Sequence, residues 1–293
     1  MAARVARIGG EHQTNRRIVT SRSSNPLWYV YGIVRAAAAR SSTPAGLDDV
    51  SVSVEPSETG DIAALVSLLD GPEYEASKLE SQSGNVDWIS PRAIAHDRVL
   101  TWASDQGAVV PLPMFSLFSG RAAVHDMLRE RAAQLDAALT RIGDAREYAL
   151  RVYRVDSELL ASITSLSPRL RDVAVAAEAA SPGQRYLLER KLEGEKRAEL
   201  RAVTQQLVDE LVAELSTHAV GVERSPIPRV SDAESTRGTM VLNAAFLVAP
   251  SSYDTFRRTL SSVVERRSPQ GLRFDFTGPW PPYHFVNERA NDD

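Results

Sequence analysis

Two His-Asp dipeptides, His96-Asp97 and His125-Asp126, are the residues whose types and adjacency most suggest chemistry. Imidazole and carboxylate ligands of this kind hold divalent ions and activate water in metal-dependent phosphohydrolases. Such a centre needs further His or Asp ligands converging in space. The chain has five His in all, and two of them, His12 and His284, lie near its ends. His96, close to a helix start, reads instead as a satisfied structural residue. Other chemistries lack their frames. There is no GxxxxGK[ST] or GxGxxG stretch to cradle phosphate. Ser, His and Asp are present, but without a GxSxG elbow. With no Cys, a thiolate zinc site, a cysteine nucleophile and a disulfide framework are excluded. The acidic pairs Asp48-Asp49, Asp209-Glu210 and Asp292-Asp293 read as solvated surface, and so do Arg129/Arg131 and Arg266/Arg267. The expectation is a non-enzyme with no catalytic residue, cofactor or metal.

Composition narrows the classes further. A net charge of -4 and a pI near 5.8 leave no global basic field for nucleic acid. The best apolar runs, Val109–Phe118 and Met240–Pro250, are broken by prolines or by Asn243 and fall short of the roughly 18 residues of a membrane helix. No membrane insertion is therefore expected. Arg4, Arg7, Arg16, Arg17 and Arg22 precede no apolar core, so the start does not read as a secretory signal. Residues 1–25 are expected to be a mobile arm. The lack of Cys fits a reducing cytoplasm. A length of 293 residues suits two modest domains.

The elements that would position any functional residue follow from periodicity. Leu27–Val34 (LWYVYGIV), Val50–Glu55 and Asp61–Leu69 read as strands. Ser90 and Pro91 suggest an N-cap and first helical position, with Gly107 ending that helix. Ala108–Leu112 is a strand, Arg121–Ile142 one helix striped by Val124, Leu128, Leu135, Leu139 and Ile142. Glu147–Val155 alternates as a strand, and Ser157–Ala180 is loosely helical. After a turn at Ser181-Pro182-Gly183 comes a long helix, Gln184–Ala219, in which Gly194 marks a candidate bend and Glu193 a candidate partner for Arg197. Gly221–Gly238 reads as a strand end and a loop, Met240–Val248 as a buried strand, Ser251–Arg267 as a helix and Leu272–Phe276 as a strand. From Glu147 the order is β-α-β-β-α-β, which suits a ferredoxin-like sandwich. The fold class is α+β: arm 1–25, N-terminal mixed α+β domain 26–145, C-terminal ferredoxin-like domain 146–276 and an extended Pro/aromatic tail 277–293.

Several stretches together resemble the GvpL/GvpF family of gas vesicle proteins, over roughly Leu27 to Val286. The sharpest is Thr277-Gly278-Pro279-Trp280-Pro281-Pro282-Tyr283 followed by Phe285-Val286, with His284 where the family usually has a small residue. Tyr29–Val34, Ala95-His96-Asp97-x-Val99, Glu147–Val152, Tyr186-Leu187 and Asn243–Val248 support it, in order along the chain. The family's Pro-x-Arg-Phe-Gly-Thr is replaced by Pro111-Leu112-Pro113-Met114-Phe115-Ser116, which lacks the arginine and the glycine. The resemblance implies an accessory or minor structural protein of gas vesicles, found with the vesicle in the cytoplasm. It also implies contact with the small hydrophobic shell protein GvpA, and with other gas vesicle accessory proteins, early in assembly. Two alternatives stand beside this: a family paralogue acting as scaffold for another assembly, and an enzyme whose site no sequence motif reveals.

The candidate partner-binding residues are the aromatics Trp28, Tyr29 and Tyr31 of the first strand and Trp280, Tyr283 and Phe285 of the tail. Three prolines within four positions remove backbone donors and restrict φ, so the tail is expected to be extended and polyproline-like. Two readings of it stand: a clamp folded back across the junction of the two domains, or an exposed, preorganised docking strip.

Overall fold

The computed structural model of the chain describes residues 26–38, 42–228 and 237–286. The expected arm at 1–25, the end of the tail beyond 286 and part of the Gly221–Gly238 loop lie outside the described residues. These residues form two compact units, one reaching Gly143 and the other spanning Asp144–Phe285. Both are mixed α+β, with two sheets and eight α-helices among the described residues.

The first unit is built on β1 (Leu27–Arg35), β2 (Ser53–Pro56), β3 (Ile62–Leu69), β4 (Val109–Pro111) and β5 (Leu117–Phe118). The order is β2-β3-β1-β4, with β5 also pairing β1, and all neighbours are antiparallel. The aromatic, β-branched first strand becomes a central strand, as its buried character requires. Tyr29 and Tyr31 point to one face, where they share a core with Val99 and Leu100 of α2 (Val86–Gln106). α1 (Ala76–Gln82) precedes it. The other face is covered by α3 (Arg121–Glu130) on β3 and α4 (Ala132–Ile142) on β1 and β4, through the expected stripe from Val124 to Ile142, all buried.

Three expectations need correction here. α2 begins at Val86, not Pro91: the Asn85 side chain caps Trp88 N–H, and Pro91 lies inside the helix. The single helix Arg121–Ile142 is two, because Arg131 leaves helical angles (φ -107, ψ 11); the break lets each half follow its own part of the sheet. The alternating valines give a shorter strand, since Leu47–Asp49 forms a 3-10 turn with Asp48 and Asp49 at positive φ.

The second unit contains β6 (Arg146–Arg154), α5 (Asp156–Leu166), α6 (Pro168–Glu178), α7 (Pro182–Ser216), β7 (Gly221–Arg224), β8 (Thr239–Val248), α8 (Pro250–Arg267) and β9 (Leu272–Trp280). The antiparallel order is β7-β8-β6-β9, so β6, β8 and β9 share one sheet, as the order of elements after Glu147 implied. Leu150, Val152, Leu242, Ala244 and Phe246 face a helical layer contributed mainly by Leu207, Leu211 and Leu215 of α7 and Phe256 and Leu260 of α8. Alternation therefore turns Glu147, Arg151, Asn243 and Ala245 to the opposite face.

α7 takes Pro182 and Gly183 into its first turn and runs unbroken through Gly194 over 35 residues, about 50 Å. Glu193 pairs with Lys196 rather than Arg197; a carboxylate reaches i+3 as readily as i+4. β9 continues past Phe276 to Trp280. This is possible despite Pro279 because β9 is an edge strand and because Gly278, at φ +127 with the Glu147 carbonyl 2.9 Å from where a Cβ would stand, lets the backbone bulge. Beyond it, Tyr283–Phe285 is a 3-10 turn rather than extended chain.

Candidate partner-binding surfaces

Both His-Asp dipeptides are absorbed by the scaffold. His96 is buried on α2, and its Nδ1 lies 2.7 Å from the Tyr29 hydroxyl. That oxygen also accepts the Phe115 N–H at 3.3 Å. Burial pushes His96 down to about 4, only partly offset by the Leu112 backbone. Burial likewise raises its neighbour Asp97. His125 Nε2 sits 2.6 Å from Glu55 Oε1, which also accepts Arg121 Nε at 2.8 Å. Burial is the largest influence on Glu55 and opposes ionisation, yet the bonds from Arg121 and His125 together hold it below the usual carboxylate range. Among the described residues no three His, Cys, Asp or Glu side chains come close enough to hold a metal ion.

Of the first-strand aromatics, Tyr29 and Tyr31 are wholly buried. The Tyr31 hydroxyl accepts the Leu47 N–H at 2.8 Å and lies 3.0 Å from Ser67 Oγ, which itself donates to the Ser51 carbonyl. Burial raises the Tyr31 hydroxyl pKa. These two side chains serve the core. Trp28 does not: it is half-buried and stands in register with Leu68 of β3 and Phe118 of β5. Directly opposed residues point to the same face, so the three make one apolar row, with Leu68 46% exposed. Sequence reading missed Leu68 and Phe118; for Leu68 the reason is that in the run IAALVSLL, apolar but for Ser67, periodicity does not separate the faces.

The tail forms a strap in the second unit. Trp280 pairs with Glu147, its indole Nε1 donating to Thr277 Oγ1 at 3.1 Å. Pro281 and Pro282 are buried. His284 then donates its backbone N–H to Glu147 Oε2 at 3.0 Å, and its Nδ1 lies 2.7 Å from Oε1. Phe285, 5% exposed, closes over Gly221 of β7; a Cβ there would stand 3.1 Å from its ring. Gly221, Leu247 and Glu147 are cross-strand neighbours, so the strap runs from β9 over β6 toward β7, on the face turned away from the helices. Phe285 is thereby spent on anchoring, whereas Trp280 stays half-buried and Tyr283 is 40% exposed. The buried carboxylate of Glu147 was missed, since charged residues in an alternating strand read as solvent-facing. The hint was His284, a large polar residue in a place the resemblance reserves for a small one.

Comparisons with known proteins agree with this architecture. Residues 27–287 match the family described as "Gas vesicle synthesis protein GvpL/GvpF". The chain is 25% identical over 236 residues to gas vesicle protein L of a Streptomyces species, covering 80% of this chain and 83% of that one. It is 24% identical over 270 residues to gas vesicle protein L1 of Halobacterium salinarum, covering 88% and 89%. Its fold is similar to the crystal structure of the gas vesicle protein GvpF from Anabaena sp. PCC7120, with a TM-score of 0.60 at 19% identity over 89% of this chain and 96% of that one.

Proposed function

The chain belongs to the GvpL/GvpF family of gas vesicle synthesis proteins, and from that premise we propose that it binds the small hydrophobic shell protein GvpA during early assembly, without catalysing a reaction. It acts as an accessory or minor structural component of the vesicle, in the cytoplasm. A shell subunit hides its apolar face only after packing against neighbours, so before assembly it is prone to aggregate. An acidic carrier that covers this face keeps the pair dispersed. No helix among the described residues is long and apolar enough to cross a membrane, in keeping with such a carrier.

The observation that carries the reading is that Trp28 in its row with Leu68 and Phe118, and Trp280 with Tyr283 on the anchored strap, keep accessible apolar surface on ordered backbone. Aromatic groups held in this way bind at low entropic cost. At the β2, β4 and β9 edges aromatic side chains are favoured over an added strand, because β2 ends at Pro56, β4 at Pro111 and β9 carries Pro279, and proline blocks edge pairing. The same reading takes the second unit as a ferredoxin-like module, for which the β7-β8-β6-β9 order and the β6-to-β9 sequence of elements argue, and treats the stretch from Trp280 as part of that module.

Titration of soluble shell subunit against wild type, Trp280→Ala/Tyr283→Ala and Trp28→Ala/Phe118→Ala tests the location. At least one pair is expected to weaken capture about tenfold or more, as hot-spot aromatics do, with far-UV circular dichroism unchanged. Equal affinity in all three proteins would remove the aromatic surfaces from the proposal.

A further inference from the structure

We propose that the N-terminal half of α7 is a docking surface for an amphipathic helix bearing carboxylates seven residues apart, separate from the surfaces that take the shell subunit. The buried residues of α7 begin only at Val203; before it, Leu192 and Leu200 are merely half-buried against the core. That first half is supported on one side by α6, where Arg185 caps the Ala177 and Glu178 carbonyls. On the opposite side a helical stripe of Tyr186, Arg190 and Arg197 stands exposed, with Leu187 beside it and with Glu193, paired to Lys196, between the two arginines. Tyr186 and Leu187 are 62% and 65% accessible, unusual for two adjacent large apolar side chains with no core role. Arg190 and Arg197 make no hydrogen bond or ion pair with any described residue. The neighbouring Lys191, Glu193, Glu195 and Lys196 are all engaged.

Two unpaired guanidiniums beside two exposed apolar side chains, on a protein of net charge -4, specify the partner by complementarity. It must be apolar where it meets Tyr186 and Leu187, and acidic where it meets the arginines. Arg190 and Arg197 are two helical turns apart, about 10.5 Å, which a parallel or antiparallel helix matches with carboxylates at positions i and i+7. The patch is small. A stable dimer of folded copies needs about 800 Å² per partner, far more than two side chains offer, so a single helix fits better than a second copy of this chain.

The probe is a labelled synthetic amphipathic helix with a leucine seam and Glu at i and i+7, read by fluorescence anisotropy against the full chain, beside a peptide with Lys in place of Glu. The Glu peptide is expected to bind. Its affinity should fall about tenfold in Arg190→Glu/Arg197→Glu and in Tyr186→Ser/Leu187→Ser, with the Lys peptide gaining on the charge-reversed variant. Arg257→Glu/Arg258→Glu, on the exposed face of α8, should change it less than about twofold, which separates the stripe from general electrostatics. The four substituted side chains of α7 are exposed and make no core contact, so thermal unfolding of the α7 variants should match wild type. Equal binding of Glu and Lys peptides, or indifference to the α7 substitutions, would overturn the proposal. So would sedimentation showing that the stripe is instead a self-association face. Because shell-subunit capture is read with the Trp280 and Trp28 variants, failure of either proposal leaves the other standing.

Discussion

His96 should make the first unit acid-labile in a defined window. Its imidazole is buried, 4% exposed, and bonded to Tyr29. Burial lowers its pKa from 6.5 to about 4. Above pH 6.5 the group is neutral in both folded and unfolded chains and contributes no pH dependence. Between 6.5 and 4 the unfolded chain binds a proton that the folded chain refuses, so stability falls as pH falls. The full drop from 6.5 to about 4 is worth about 3 kcal/mol, a large share of a domain stability of about 5–15 kcal/mol. The perturbation is His96→Gln, which keeps a polar side chain and cannot titrate. The assay is urea unfolding at steps from pH 7.5 to 4.5, followed by Trp28, Trp88 and Trp102 with Trp280 replaced by Phe. His96→Gln should be less stable than its parent at pH 7.5, by about 1–2 kcal/mol for the impaired Tyr29 bond. The gap should close and then invert toward pH 4.5, because only the parent loses the histidine contribution. Parallel pH profiles for the two proteins would mean that His96 does not set the acid lability of the first unit.

Three further outcomes follow from single contacts. Gly46→Ala places a Cβ 2.1 Å from the Tyr31 hydroxyl and should cost about 2–4 kcal/mol by urea midpoint, more than Tyr31→Phe, which removes the bonds without the clash. Glu147→Ala takes away the two carboxylate oxygens that meet His284; amide exchange at Tyr283–Phe285 should accelerate, and stability should fall by about 2–3 kcal/mol, whereas unchanged exchange would mean that the strap holds without its anchor. Phe115 sits at φ +65, where the resemblance expects glycine, so Phe115→Gly should be more stable than Phe115→Ala by about 1 kcal/mol; the reverse order in thermal unfolding would show the backbone there to be unstrained.

Much of the fold was legible because its signals are local. The LWYVYGIV run, the EYALRV alternation and the stripe from Val124 to Ile142 each carry their own periodicity, and the sharing of one sheet by β6, β8 and β9 followed from element order. What stayed hidden depends on contacts made at a distance. Pro91 looked like a helix start, yet the Asn85 cap one turn earlier decided the boundary. Arg131 breaks a stretch of good helix formers that has no glycine or proline, because the two halves serve different strands. Among the candidate aromatics, residue type alone did not separate Tyr29 and Tyr31, whose hydroxyls meet His96 and Ser67 inside the core, from Trp28 and Tyr283, which keep contact with solvent. The Glu147–His284 anchor joins residues 137 apart, and no sequence window contains both.

The central claim is capture of unassembled shell protein, and the most direct measurement is light scattering from a dilution of denatured GvpA into buffer with and without this chain. Stoichiometric wild-type protein should suppress scattering and elute with the shell subunit as a soluble complex of defined mass. Unaltered scattering would contradict capture, and so would separate elution of the two proteins from a mixture in which the subunit is held soluble.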